Sequence, residues 1–194
     1  MILALAWLLV TGALLAPPLD PYLDGVMVRV VLIQVPLLLV LGALVGRRTP
    51  DAAARRWDPA GFTGLAFAAG ALVFWMLPRS LDEAARSEVM DQLRHLSLLA
   101  AGFGLGAGWR RLPFAARGGA SILTVAMLGA MGVFYSRYDA LVCGWFTLAQ
   151  QREAGAAMLR ASGLALVAFA ALLVLTLARE HREQRRALAA DSSS

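Results

Sequence analysis

FWMLPRSLDEAARSEVMDQLRHLSLLAAGFGLGAGWRRL, residues 74–112, leaves one apolar segment at Phe74-Trp75 and crosses a charged loop. It re-enters apolar sequence just before His95 and runs out at Trp109 into a basic turn. Its charges read as a connection outside a bilayer, and the apolar runs on either side read as spans. Four glycines, Gly102, Gly104, Gly106 and Gly108, fall within the second run. A phosphate-binding glycine loop needs a preceding strand and a solvent-exposed helix start. Inside an apolar span, two small-xxx-small pairs instead favour close helix packing.

Outward from this stretch, the chain of 194 residues is 59% hydrophobic and 16% charged, against about 45–50% and 25% in soluble domains. The excess lies in runs long enough to span a bilayer, so the chain reads as an all-α integral membrane protein. All 18 cationic side chains are arginine, and the net charge of +5 is gathered in particular loops. A basic soluble face for nucleic acid is absent from the pattern. The single cysteine, Cys143, excludes an internal disulfide and an all-cysteine metal cage.

The runs predict six spans, at about 2–16, 26–46, 60–77, 93–109, 118–135 and 155–178, in one transmembrane domain, followed by a charged tail at 179–194. The first run has no preceding arginine and leads into Pro17-Pro18, so it reads as a retained helix and not a cleaved signal. Ser80 with Glu83 fits a capping box for a surface helix over 81–91, and 136–154 reads as an interfacial return. The loops 47–59 and 110–117 and the tail hold eleven arginines. The alternate loops hold four arginines offset by Asp20, Asp24, Asp82, Glu83, Glu88, Asp91, Asp139 and Glu153. The positive-inside rule then places both termini in the cytoplasm and the acidic loops outside.

His95 opens the fourth span with Asp91 at i−4 and Glu88 at i−7, on one helical face. One account is an interfacial polar collar, with His95 bonded to Asp91 and the acids paired with Arg86 and Arg94. The other is a metal or substrate site with His95, Met76 and Asp91 as candidates; Cu(I) takes thioether, thiolate and imidazole ligands, which Met27, Met90 and Cys143 would add if the helices meet there. Gln34, deep in the second span beside Pro36, needs a partner. With His181 in the tail, an intrachain bis-histidine haem lacks its second ligand, and neither a hydrolase triad nor HExxH is present. Repeats and broken helices of the kind that mark carriers are confined to Gln34-Val35-Pro36.

Trp75-Met76-Leu77-Pro78, then Leu81-Asp82, Ala85, Met90, Leu93-Arg94-His95 and Trp109, resemble the signature of the CtaG-like cytochrome c oxidase assembly factors. Tyr135-Ser136-Arg137-Tyr138, Gln150 with Gly155 and Met158, and Gln34-Val35-Pro36-Leu37-Leu38 with Gly42 follow in the family's order. Where the family carries further histidines, this chain has Arg29, Gln34 and Met76, so only His95 matches. The resemblance implies a non-enzymatic assembly or copper-handling factor for a haem-copper oxidase or another membrane copper enzyme. Its partners would be the bilayer and the enzyme's subunits, and Trp75, Pro78, Asp82, Trp109, Tyr138 and Gln150 would be structural or interaction residues. An accessory subunit with no metal of its own is the alternative.

Overall fold

A computed structural model describes residues 23–191, and all regular structure among them is helical. The expected span at 2–16 lies outside the described residues. Helix α1, Met27–Gly46, is interrupted by a π-helical turn at Val30–Gln34, where the Val35 N–H bonds the Val30 carbonyl. Pro36 accounts for the position. It has no N–H for the Leu32 carbonyl, and its ring would clash with that carbonyl in a regular α-turn. The wider turn relieves both.

Helices α2, Asp51–Trp57, and α3, Phe62–Met76, meet at a 69° bend. The bend is held by Asp58, whose carboxylate accepts the Thr63 N–H at 3.2 Å and the Gly64 N–H at 3.0 Å. Gly61 in the bend has φ 85°, a left-handed conformation that costs glycine least. α3 has 15 residues and rises about 22 Å, short of a core of about 30 Å. Only together with α2 is it long and apolar enough to cross.

Helix α4, Pro78–Arg86, begins with proline at its first position after extended Leu77. The capping box expected at Ser80 is therefore displaced: Ser80 is buried one turn inside the helix. The cap forms instead at Ser87, whose Oγ accepts the Met90 N–H at 3.4 Å and starts α5, Glu88–Gly108. Helices α6, Phe114–Arg137, and α7, Leu148–Asp191, pack on each other. No separate interfacial helix forms in 136–154. Residues 138–147 are irregular and α7 starts at Leu148.

Three continuous segments, Met27–Gly46, Phe114–Arg137 and Leu148–Leu172, are long and apolar enough to span, or four with the bent pair. The expected span at 93–109 is thus corrected to a longer α5 that fails on composition, because Glu88, Asp91, Arg94 and His95 fill its first half. Three of those four face protein: Asp91, Arg94 and His95 are buried against α1, α3 and α4. α5 is the central helix of the bundle.

Glycines make that position possible. A Cβ on Gly102 or Gly106 would be driven into the Leu39 or Ala43 carbonyl oxygen of α1, and one on Gly42 or Gly46 into the Leu99 or Phe103 carbonyl of α5. The alternate pair faces α3: a Cβ on Gly104 would lie 3.3 Å from the Gly64 Cα, and one on Gly108 3.0 Å from the Gly61 Cα. The two small-xxx-small pairs read in the sequence are two packing faces of one helix.

A buried charged cluster as candidate functional site

Asp91, Arg94 and His95 occupy i, i+3 and i+4 of α5, which brings their side chains to one face. His95 is 0% exposed and Arg94 1%. The His95 Nδ1 lies 2.8 Å from the Asp91 carbonyl oxygen and 3.2 Å from its Oδ2. On the far side of the ring, Nε2 lies 3.0 Å from the Gln34 amide nitrogen. An amide N–H₂ there donates to an unprotonated Nε2 and fixes the tautomer with its proton on Nδ1. The π turn of α1 ends at Gln34, so the distortion imposed by Pro36 is also what delivers this partner.

Arg94 donates from Nη2 to the carboxylates of Asp91 and, at 2.6 Å, Asp24. One guanidinium between two carboxylates, beside an imidazole, holds four ionisable groups in a region of low dielectric. Such groups persist there only when paired. Asp24 and Asp91 also line a cavity of about 310 Å³ with Arg86, Glu88 and Trp145, which opens the cluster to the end of the bundle.

Neighbouring bonds lock this end of the molecule. The Trp75 indole N–H donates to Ser97 Oγ at 2.7 Å, and that hydroxyl donates to the Arg94 carbonyl at 3.1 Å. The Tyr135 hydroxyl of α6 donates to the Met76 carbonyl at 3.1 Å, closing the last turn of α3. Asp82 of α4 accepts the Gly144 and Trp145 N–H groups, the latter at 3.0 Å, and its carboxylate is 3.8 Å from Arg86. The buried Cys143 thiol donates weakly to the Pro78 carbonyl at 3.8 Å. Burial above all, then the Asp82 charge, pushes the thiol up to about 12.

Of the residues singled out in the sequence, the structure joins His95 and Asp91 directly, while Trp75 reaches the Arg94 backbone carbonyl by two hydrogen bonds through Ser97. Of the polar-collar contacts, His95 with Asp91 and Arg94 with Asp91 are present, whereas Arg86 pairs with Asp82 and Glu88 lies exposed. Pro78 and Asp82 order the 138–147 segment from beneath. Tyr138 is half exposed and stacks on Phe134, and Trp109 sits at the opposite end of α5. Gln150 donates to the Gly25 carbonyl at 3.3 Å, but its neighbour Gln151 is the buried one. Gln151 accepts the Val142 N–H at 3.0 Å and donates to the Tyr138 and Ala140 carbonyls at 3.4 and 3.3 Å. Two adjacent glutamines in a short irregular return were the only sequence signal for it. Gln34 and Asp24 were legible as polar residues near a span, but not as one cluster.

The donors expected for copper are engaged elsewhere. Both His95 ring nitrogens have partners, the Asp91 carboxylate is bonded to Arg94 and His95, and Met76 lines an apolar cleft among α1, α3 and α6. Among the described residues no group of three or more His, Cys, Asp and Glu side chains is placed to hold a metal ion. The residues present do not fit a resident copper centre in this conformation. Compared with protein-family models, curated proteins and solved structures, the chain gives no match.

Proposed function

We propose that this chain is a non-enzymatic assembly factor for a haem-copper respiratory oxidase or another membrane copper enzyme, working at the outer face of a bacterial inner membrane. One observation carries the reading. The stretches that carry the resemblance to the CtaG-like family, Gln34-Val35-Pro36, Trp75 to His95, and Tyr135 to Tyr138, are far apart in sequence but meet at one end of the bundle, where Gln34 bonds His95 and Tyr135 bonds Met76. In this reading the end holding His95 faces the periplasm. The crossings among the described residues are α1, the bent α2–α3 pair, α5, α6 and α7, an arrangement that goes with the expected cytoplasmic placement of both termini. α5 crosses without being apolar because Asp91, Arg94 and His95 are turned to its neighbours. The charged cluster fixes the shape of the outer face that a partner subunit recognises. A ligand role for His95, Met76 and Asp91 would require Gln34 and Arg94 to give up their bonds first.

The engaged ring nitrogens of His95 also favour a second reading, an accessory subunit of a membrane complex with no metal of its own. Affinity purification of a tagged chain separates the two. An assembly factor co-purifies with unfinished oxidase or copper-enzyme subunits and is absent from the active enzyme, whereas an accessory subunit stays at a fixed ratio in the active complex. Deleting the gene, or introducing His95→Ala, is expected to lower the copper content and activity of the partner enzyme while its subunits are still synthesised. Normal copper content and activity in every membrane copper enzyme of the deletion strain would overturn the assembly reading.

A further inference from the structure

Helix α6 packs on α7 through residues 125–136 and leaves a cleft against α1, α3 and α5. The cleft has two continuous parts, of about 610 Å³ and 240 Å³, which share Ala69, Leu72, Leu123 and Thr124. One end reaches Met76 and Met158, near the charged cluster, and the other lies at Phe62, Trp109 and Ala116. The walls are almost wholly apolar. The second end differs, because Arg110 follows Trp109 and Arg117 follows Ala116 directly in the chain. Arg117 shares a helical stripe with Ser121 and Thr124, which line the cleft, and Ser121 donates to the Arg117 carbonyl at 2.9 Å. The Arg117 Nε is enclosed and has no hydrogen-bond partner. Arg111 at the same turn is held by the Asp58 carbonyl at 3.0 Å and by Asp51 at 3.1 Å, and its Nη2 is likewise enclosed and without one.

An apolar slot running along the bundle, with Arg110 and Arg117 next in the chain to residues that line one end of it, has the chemistry of one class of molecule. We propose that the cleft between α3, α5 and α6 binds an anionic phospholipid, with its acyl chains in the slot and its phosphate at Arg117 and Arg110. Guanidinium N–H groups suit phosphate oxygens, and the small residues Ala116, Gly119 and Ala120 leave room for a chain beside α3. A zwitterionic lipid would fill the same slot without net attraction to the arginines.

The test uses the full chain in bilayers containing spin-labelled phosphatidylglycerol or phosphatidylcholine, reading the immobilised lipid fraction by electron paramagnetic resonance. The wild-type protein is expected to prefer phosphatidylglycerol, by about fivefold for each engaged arginine at moderate salt. Arg117→Gln should lower that preference about fivefold, while Arg117→Lys retains most of it. Ala120→Phe, which fills the slot and leaves every charge in place, should release the immobilised phosphatidylglycerol. Equal retention of both lipids by the wild type, an unchanged preference in Arg117→Gln, or full retention in Ala120→Phe with normal helical content would each overturn the proposal. None of these outcomes depends on the partner enzyme, so the lipid site and the assembly role stand or fall separately.

Discussion

Gly102→Ala is the smallest change that tests whether α5 is the centre of the fold. The new methyl group points at the Leu39 carbonyl oxygen of α1, a backbone atom inside a helix that cannot rotate aside. The two helices must therefore part. Overpacking of this kind costs about 1–3 kcal/mol, and a gap of about 0.5–1 Å along the contact forfeits a quarter to a half of each dispersion well. Against that, alanine gains about 0.5–1 kcal/mol over glycine inside a helix. The net expectation is a loss of about 1–2 kcal/mol. Gly106→Ala should cost as much alone, but the double variant should cost less than the sum, since helices already separated by one methyl accommodate the second. Gly70→Ala and Gly118→Ala are the matched controls. A Cβ at either position meets nothing within 4 Å, so only the propensity gain remains and both variants should be slightly more stable. Unfolding in mixed micelles, titrated with a denaturing detergent and followed by tryptophan fluorescence, ranks all five variants. A Gly102→Ala protein as stable as wild type, or stabilised like Gly70→Ala, would refute the reasoning.

Three further outcomes follow from the charged end. Arg94→Met strips the counter-charge from Asp24 and Asp91 and should destabilise by about 3–5 kcal/mol in the same titration, with substantial recovery when Asp91→Asn is added. Gln34→Leu and His95→Phe should each cost about 1–3 kcal/mol, and a double-mutant cycle should give them a coupling energy of about 0.5 kcal/mol or more, whereas strict additivity would deny the bond between them. Cys143 titrates far above its ordinary value near 9, so the folded protein keeps a proton that the unfolded chain loses. The resulting stability is complete below about pH 9 and declines as pH rises towards 12, and Cys143→Ser should flatten that decline in an alkaline series. Maleimide at pH 8 should label the native thiol much more slowly than the denatured one.

The helical class was legible because apolar runs and glycine spacing are local properties. The glycines of α5 read correctly for the same reason: i, i+4 spacing places them on one stripe whatever the neighbour is. Six even spans go beyond what the described helices show, three of which are long and apolar enough to cross, or four with the bent pair. A hydropathy reading treats every buried helix as lipid-facing, but the face of α5 that carries Asp91, Arg94 and His95 is turned to protein, while Val89, Leu93 and Leu96 on its other face lie exposed. The cluster was half legible. Asp91 and His95 are four residues apart on one helix, so their contact follows from the sequence. Asp24 and Gln34 come from 61 to 70 residues away, and only tertiary packing selects them. At the surface, Pro78 overrode the capping signal at Ser80, because a proline pre-set for the first turn starts the helix earlier.

The π turn of α1 also has a bearing on register. An i→i+5 turn takes up one residue more than an α-turn, so α1 behaves as two rods offset by about 100°. The upstream rod directs Met27 and Val30 inward, and the downstream rod directs Leu38 and Gly42 to α5. Deleting one residue from Val30–Gln34 would give a smoother helix and a poorer fit, since one half would have to turn its apolar face away from the bundle. The irregular turn lets a single helix serve two neighbours that no uniform helix could satisfy together.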